Sequence, residues 1–590
     1  MLEPLIETIA KTYEAARHRD LLAALWRQER WFTSSRQKAA AEIACEALGV
    51  AGLDDARVAP FPADGRARFQ DWTTRLAWDC DGACLRAGDD VLVDYSTPTS
   101  VVQWSGPLAE TTAPVVDGDA LAPGAIEAVR GKFVLTARPP RAMKEIAKSA
   151  GPVGVLSDFL GTGVGYDEDT VRWCNTWGDG PDGWYFRAGD ARLPGFCLSP
   201  RQGAALRGRL AQRPDLEVTA HCRSRLYEGL SHCVTAVLPG RDRSREVWLF
   251  GHACEQGAND NASGVSIGIE ALRMLAGLVD AGVLPRPRWS IRLVATEECI
   301  GMLAFVCGHE DLRQRALAGL NLDSIGDLGG QDRPFTLFFG PLAAPTFGWA
   351  VAGAVGEALA RLSRGSYFIR SLCQPPTGDD MVADPACGIP CLWLGHGKGL
   401  VGYHSSSDTP AVCDEESLRP NTLLAAAWAY TMADLDEASA RAILPAATRW
   451  IDGNVLPAAE ADAAELRRWA AGRVLRDLAR WGVSPAVFED RAARYATADA
   501  APLAGLPADG PRIVRRTWGT ATLETVPAQR TQGLGRWSGW QAAALYWADG
   551  RRPLEAIERL VRAEVGRAPD GGVAHLAEAC VEAGVAVRAI

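Results

Sequence analysis

The sequence lacks several features that mark other classes of protein. Residues 1–26 contain no charged start followed by a continuous apolar stretch, so a secretion signal is not expected. No window approaches about 18 uninterrupted apolar residues, which argues against a membrane-spanning helix. The 15 cysteines include no CxxC pair, a pattern that favours reduced thiols over a disulfide framework. We therefore expect a cytoplasmic protein without a membrane partner.

An excess of basic residues is also absent. Asp and Glu number 72 against 62 Lys and Arg, giving a formal net charge of −10. This charge repels phosphate backbones, so nucleic acid is not an expected partner. The 590 residues are too many for one hydrophobic core, and two to four domains are expected.

The chain divides into segments of different texture. Residues 1–95 begin as amphipathic helix and become aromatic and extended, leading into a catalytic domain. In residues 96–225, "RGKFVLTARPP" reads as a strand, "MKEIAKSAGPVGVLSDF" as a helix and a strand, and "LPGFCLSPRQGAALRGRL" as a strand and a helix. This order resembles the protease-associated (PA) domain, a small α/β or β-rich module.

Residues 226–436 show a second α/β rhythm. Near-continuous apolar strands that alternate with helices predict a mostly parallel central sheet with helices on both faces. Strands are predicted at 246–252, 289–296, 318–323 and 389–395, and helices at about 262–279 and 300–316.

Residues 437–590 are predicted to form a helical linker followed by a module that looks like a winged helix. From Trp537 onward, basic and acidic residues nearly balance, so a docking or dimerisation role is favoured over DNA binding. A homo-oligomer formed through this module is one expectation.

Acidic and imidazole side chains follow the predicted strand ends. His252 closes one strand and Asp260 lies in the loop after it, while the other candidates follow later strands. Ligands in open α/β sheets gather at the carboxyl ends of strands, where so many carboxylates would repel one another without a cation. A donor set of nitrogen and oxygen suits zinc, with manganese or cobalt as substitutes. The other candidates are Glu297, Glu298, Asp323 and His404.

The ordered motifs "H-x(7)-D-N-A-S-G", "E-E", "N-L-D-S-I-G" and "Y-H-S-S-S-D-T" resemble the zinc aminopeptidase family that includes bacterial leucyl aminopeptidases, glutamate carboxypeptidase II, the transferrin receptor and glutaminyl cyclases. The resemblance implies a zinc-exopeptidase, phosphorylase/hydrolase-like fold with two zinc ions, a single ion being the alternative. It implies that one zinc is held by His252 and Asp323, the other by His404 and a glutamate, and that Asp260 bridges them.

The resemblance carries over to two further positions. "GDDMVADPACGIP" matches the segment that places an aspartate near the pocket, which here is Asp380. Tyr403, beside His404, is expected to donate a hydrogen bond to a tetrahedral oxyanion.

Two departures from the family pattern concern these roles. Cys254 stands where the family has the aspartate that orients the first histidine. The family reads Glu-Glu-x-Gly, whereas one extra residue precedes Gly301 here. Counting from the glutamate pair makes Glu297 the general base and Glu298 the zinc ligand, the favoured interpretation. Counting back from Gly301 makes Glu298 the base and puts Cys299 at the ligand position.

The remaining histidines, His18, His221, His232, His309, His396 and His575, are interpreted as surface or core residues. An aromatic cluster in the PA-like segment is interpreted as ordinary packing, with a substrate entrance as the alternative. Its members are Trp173, Trp177, Trp184, Tyr185 and Phe186.

Three functions are carried forward. The leading hypothesis is a metallo-aminopeptidase that hydrolyses a peptide or aminoacyl small molecule with a glutamate general base. The second is glutaminyl cyclase-like or amidohydrolase chemistry on a small metabolite conjugate. The third is a noncatalytic binding protein on the same fold.

Overall fold

The structure is a computed structural model of the full chain. It describes residues 1–28, 33–96, 98–121, 125–139, 151–174, 178, 185–397 and 399–589. The predicted helix at the start of "MKEIAKSAG", and Trp177 and Trp184, lie outside the described residues.

The larger sheet of the described chain has eight strands in the order β1-β11-β13-β12-β14-β17-β15-β16. Its central strands β13, β12, β14 and β17 are parallel, while β1 and β11 join one edge antiparallel. Every residue of β12 and β13 is buried, as expected for strands with helices on both faces. The strands are β1 Asp54–Ala63, β11 Gly229–Leu238, β12 Glu246–His252, β13 Ser290–Thr296, β14 Ala316–Leu322, β15 Phe335–Phe339, β16 Ile369–Cys373 and β17 Cys391–His396.

Helices cover this sheet and continue the main hydrophobic core. The helix Ala262–Asp280 begins at Asn261, whose side chain accepts a hydrogen bond from the amide of Gly264. The N-terminal helices pack against it, and His18 donates or accepts a 3.1 Å hydrogen bond with Ser266 Oγ. The helices of this part are Leu2–Ala10, Ala15–Trp26, Ser34–Val50, Ala262–Asp280, Ile300–Gly308, Glu310–Arg315, Phe347–Leu362 and Glu415–Ala433.

A second sheet is inserted between β1 and β11, which are themselves hydrogen-bonded neighbours. In the described chain its order is β5-β4-β10-β6-β7-β8-β9. The sheet starts at Ala77, so the boundary predicted at residue 96 is wrong, because β4 and β5 pair with later strands of this sheet. Its elements are β4 Ala77–Ala87, β5 Asp90–Val93, β6 Leu108–Asp117, β7 Phe133–Thr136, β8 Gly154–Ser157, β9 Gly195–Cys197, the helix Pro200–Gln212 and β10 Glu217–Tyr227. A two-stranded ribbon, β2 Arg68–Phe69 and β3 Trp72–Thr73, precedes it.

The C-terminal region packs onto the same core. Buried residues of its helices, including Leu560 and Leu576, belong to the hydrophobic cluster of the central sheet. Its elements are the helices Glu437–Trp450, Ala461–Arg476, Pro485–Ala492, Gly539–Trp547, Leu554–Val565 and Gly572–Glu582, with the antiparallel pair β18 Arg512–Arg515 and β19 Ala586–Ala589.

One helix in the described chain, Ala262–Asp280, is long and apolar enough to cross a membrane by length and composition. Of its most apolar window, 89% is buried inside the protein. Its apolar character is therefore accounted for by its position as a core helix.

Candidate metal centre and substrate cavity

The parallel strands deliver the candidate residues to one edge of the larger sheet. His252 is the last residue of β12, and Asp323 directly follows β14. Because β12 pairs in parallel with both neighbours, the three carboxyl ends lie side by side. They open into a cavity of about 410 Å³. Its lining includes His252, Glu255, Asp260, Glu298, Asp323, Asp379, Asp380, His396, Tyr403 and His404.

Asp260 lies between the two predicted zinc-binding histidines. Its Oδ1 is 3.2 Å from His252 Nε2, and its Oδ2 is 3.2 Å from His404 Nε2. Asp408 fixes the loop, because its carboxylate accepts hydrogen bonds from the amides of Asn259 at 2.7 Å and Asp260 at 3.1 Å. One carboxylate oxygen thus faces each histidine, which is the arrangement a bridging ligand needs.

Glu255 belongs to the same cluster, although sequence reasoning missed it. Its Oε2 lies 3.3 Å from His404 Nε2, and one donor atom each of His252, Glu255 and Asp260 falls within 4.8 Å of the others. The available signal was its place three residues after the strand-ending histidine, in the loop that also carries Asp260. Glu255 therefore offers an oxygen ligand beside His404.

The glutamate pair divides between two environments. Glu297 is fully buried: its Oε1 accepts a 2.6 Å hydrogen bond from Arg75 Nε, and its Oε2 accepts one from Ser231. Glu298 is the member that lines the cavity. This placement differs from the favoured interpretation, in which Glu297 is the base, because Arg75 neutralises Glu297 away from the cavity. It agrees with Glu298 as base, while Cys299 is buried with its amide donating to Asp379 at 2.6 Å.

Asp379 takes a position that the sequence left unassigned. Its Oδ2 lies 3.5 Å from His252 Nδ1, the ring nitrogen opposite the one facing Asp260. Cys254, at the position where an orienting aspartate was expected, instead receives the amide of Glu298 at 3.3 Å. The ring of His252 is thus oriented by Asp379, the neighbour of the predicted pocket residue Asp380.

Burial and mutual repulsion raise the pKa values of several acids that line the cavity. Burial, and then the carboxylate of Asp260, raise the pKa of Glu255 well above its usual range. Burial, and then Glu255, do the same to the pKa of Glu298. Burial raises the pKa of Asp323 to about 6 and that of Asp380 to about 7. Burial and mutual repulsion thus disfavour the charged forms of these acids, and a bound cation would favour them.

Carboxylate oxygens that make no hydrogen bond in this cluster fit a divalent metal. Among the described residues, Glu255 Oε2, Glu298 Oε2 and Asp379 Oδ2 are buried without a hydrogen bond, although Glu255 Oε2 lies near His404 Nε2 and Asp379 Oδ2 near His252 Nδ1. An unpaired buried carboxylate oxygen is costly, and a cation would satisfy it. The nitrogen and oxygen donors of His252, Asp260, Asp323, Glu255 and His404 suit zinc.

The inserted domain supports the loop that carries His404. The indole ring of Trp173 packs against the His404 ring at a tilt of 33° with centroids 4.0 Å apart, and the Trp173 amide donates to the His404 carbonyl at 2.9 Å. Tyr166 donates its hydroxyl to the carbonyl of Tyr403. In the predicted aromatic cluster, Trp173, Tyr185 and Phe186 are buried, which agrees with packing.

Two side chains extend the wall of the cavity beyond the predicted set. His396 ends β17 and is buried, as expected of a core residue, but it also lines the cavity, which the sequence analysis did not predict. Trp537, which precedes the helix Gly539–Trp547, also lines it. Tyr403 lies at the cavity with 37% of its surface exposed and its ring stacked on His404.

Comparison with known families agrees with this geometry. Residues 233–429 match Peptidase family M28. The chain carries an M28 peptidase domain. The matched range contains every predicted zinc ligand, so the M28 domain is a peptide hydrolase domain whose donor set supports a zinc centre. Among curated proteins, none matches the chain.

Solved structures share the M28 fold at low identity. A zinc aminopeptidase from Bacillus subtilis is 17% identical, with a TM-score of 0.50 over 72% of this chain and 98% of that one. A Peptidase M28 precursor from Shewanella amazonensis is 16% identical, with a TM-score of 0.53 over 74% and 97%. A Clostridium acetobutylicum structure is 13% identical, with a TM-score of 0.50 over 99% and 98%. The predicted α/β fold with a mostly parallel centre is confirmed.

Proposed function

We propose that this protein is a zinc-dependent aminopeptidase that removes residues from the amino end of a peptide. The single observation that carries the proposal is Asp260, which turns one carboxylate oxygen to His252 and the other to His404 at 3.2 Å each. The M28 domain supports peptide hydrolysis, and the Bacillus subtilis relative is described as a zinc aminopeptidase.

The ligand set we propose has two halves that share Asp260. His252 and Asp323 would hold one zinc ion, and His404 and Glu255 would hold the other. When bound, zinc supplies Lewis-acid polarisation of the scissile carbonyl and activation of water. Asp379 keeps the ring of His252 in the required orientation through its 3.5 Å contact with Nδ1.

The protein's own proton carrier in this proposal is Glu298. It lines the cavity, and its buried Oε2 has no hydrogen-bond partner among the described residues. Such an oxygen can take a proton from the attacking water and return it to the leaving amine. Tyr403 is the side chain proposed to donate a hydrogen bond to the developing oxyanion, and Asp380 is proposed to receive the α-amine of the peptide.

Chelation is the direct test of this proposal. Treatment with a chelator should abolish hydrolysis of aminoacyl-anilides, and added zinc should restore it, because the carboxylates and imidazoles alone do not polarise the peptide carbonyl. An N-acetylated peptide of the same sequence serves as the control for the free amine. The proposal is contradicted if the rate of hydrolysis is unchanged by the chelator and by added zinc, or if the acetylated peptide is hydrolysed equally fast.

The products of the same reaction distinguish peptide hydrolysis from glutaminyl cyclase-like chemistry. Mass spectrometry of a glutaminyl peptide distinguishes gain of water from loss of ammonia. Cyclisation without release of an amino acid would favour cyclase-like action. A protein that binds zinc and peptides but changes neither would favour the noncatalytic alternative.

A further inference from the structure

A second cavity adjoins the catalytic one. Its volume is about 700 Å³, and it shares Gln374, Thr377 and Trp537 with the catalytic cavity. Trp537 therefore stands at the boundary of the two cavities, on a wall that both share. We name the second cavity the basic groove, after its arginines Arg467, Arg562 and Arg567.

The positive charge of the basic groove is only partly balanced. In the described part of the chain, Arg467 and Arg567 have no acidic partner within ion-pair distance, whereas Arg562 is paired with Glu558 and Asp570. Arg467 is half-buried and Arg567 is exposed. Two guanidinium groups are thus left to attract an anion from the groove.

In the described chain, neither glutamate of the groove lining forms an ion pair with Arg467 or Arg567. Glu564 is buried, and its two oxygens are already engaged by the amide of Leu342 at 2.8 Å and by Trp547 Nε1 at 2.7 Å. Glu460 is exposed at the start of the helix Ala461–Arg476 and makes no side-chain cap hydrogen bond. The first amides of that helix add positive potential on the side of Ala463, which also lines the groove.

We propose that the basic groove binds a carboxylate carried by the peptide downstream of the scissile bond, and so makes acidic peptides the preferred substrates. This inference rests on the proposed aminopeptidase function, because the catalytic cavity must hold the amino end. The carboxylate is either an acidic side chain or the free carboxyl terminus. Arg467 and Arg567 are positioning residues that lower KM by holding the far end of the peptide.

Matched peptides test the proposal on the zinc-loaded protein. Leu-Ala-Ala-Glu, Leu-Ala-Ala-Gln and Leu-Ala-Ala-Lys, each with a free or an amidated carboxyl terminus, separate the two sources of the carboxylate. We expect KM to rise by roughly threefold for each carboxylate removed and to be highest for the amidated Lys peptide, with kcat little changed. Equal KM values across the series would overturn the proposal.

Variants assign the effect to the groove. Arg567→Gln should narrow the difference in KM between the Glu and Gln peptides, and Arg567→Glu should turn the preference towards the Lys peptide. Arg468→Gln removes an exposed arginine beside Arg467 on the same helix, but outside the groove lining, and should keep the wild-type preference. A preference for Glu that survives Arg567→Glu and Arg467→Gln together contradicts the assignment.

A binding experiment distinguishes failure of the proposed aminopeptidase function from failure of the groove proposal. If no substrate, including a leucyl-anilide, is hydrolysed, the aminopeptidase proposal fails, and binding then tests the groove. Fluorescence anisotropy of labelled Leu-Ala-Ala-Glu and Leu-Ala-Ala-Gln with the Glu298→Gln variant gives this measurement. Tighter binding of the Glu peptide, weakened by Arg567→Gln, supports the groove, whereas equal affinities overturn it.

Discussion

At the scale of single residues, the adjacent glutamates Glu297 and Glu298 lie in different electrostatic environments and differ in their capacity to accept a proton. A carboxylate paired with a buried guanidinium is neutralised and cannot readily accept a proton, while one with an unpaired oxygen in a cavity can. Glu297 is in the first situation with Arg75, and Glu298 is in the second. The two side chains therefore differ in function although their sequence positions are adjacent.

This difference predicts opposite outcomes for two conservative variants. Glu298→Gln should lower kcat on aminoacyl-anilides by at least about a hundredfold while zinc content and Tm stay near wild type. Glu297→Gln should lower the free energy of unfolding by about 3–5 kcal/mol, because the charge of Arg75 is left buried without its partner. Steady-state kinetics, metal analysis and thermal melting make the comparison. A folded Glu297→Gln protein that is stable but inactive would assign the base to Glu297 instead.

Glu255 predicts a change in metal stoichiometry. Because its Oε2 lies beside His404 Nε2, Glu255→Ala should bind about one zinc ion fewer per chain than the wild type if the proposed two-zinc site is correct. Elemental analysis of dialysed protein measures this directly, without reference to activity. Glu228→Ala, at an exposed acid outside the cavity lining, is the control. Unchanged zinc in Glu255→Ala would exclude Glu255 as a ligand.

At the scale of elements, strand β18 secures the turn that carries Asp379 and Asp380. Arg515 donates from Nη2 to Asp384 Oδ2 at 2.5 Å, in an ion pair whose side chains are 7% and 1% exposed. Asp384 also accepts the amide of Gly519 at 2.7 Å. The C-terminal region is thus joined to the element next to the metal centre, in addition to any role in docking.

Removal of this ion pair should be costly. Arg515→Ala should lower the free energy of unfolding by about 3–5 kcal/mol, because Asp384 would remain buried and unpaired. Differential scanning calorimetry should show a lower Tm, and the neighbouring exposed Arg516→Ala should not. If the double variant Arg515→Ala, Asp384→Asn is no more stable than Arg515→Ala alone, the stranded charge is not the cause.

At the scale of the whole molecule, a buried acid couples the C-terminal region to the central domain. Glu564, on the helix Leu554–Val565, accepts the amide of Leu342, which follows β15. Burial raises the pKa of Glu564 to about 7 from its ordinary value of 4.5. The folded protein therefore holds this proton more tightly than the unfolded chain.

The sign of the pH dependence follows from that shift. The stabilisation is complete below the unfolded pKa of 4.5 and is lost as pH rises towards 7, a change of about 3 kcal/mol. Glu564→Gln should remove this pH-dependent stabilisation. Between pH 4.5 and pH 7, the free energy of unfolding of the variant should therefore fall less than that of the wild type. Melting curves across the range test this, with Glu555→Gln, an exposed position of the same helix, as control. Parallel curves for wild type and Glu564→Gln would contradict the prediction.

The sequence by itself determined the α/β alternation, the strand that ends at His252 and the ordered set of acids and histidines, because burial on both faces of a parallel sheet leaves continuous apolar strands in the chain. It predicted strand 246–252 with the bounds the structure has, and the helix near 262–279 ends one residue later. These features are local, so periodicity and motif order are enough to find them.

Only the tertiary structure decided which of these side chains face one another. Arg75, more than two hundred residues before Glu297, binds the Glu297 carboxylate outside the cavity. Asp379, far along the chain from β12, contacts His252. The inserted sheet supports His404, and Trp537 closes the wall from the C-terminal region. Such contacts depend on how distant segments of the chain pack against one another. A local sequence pattern does not determine which distant residue a side chain will contact.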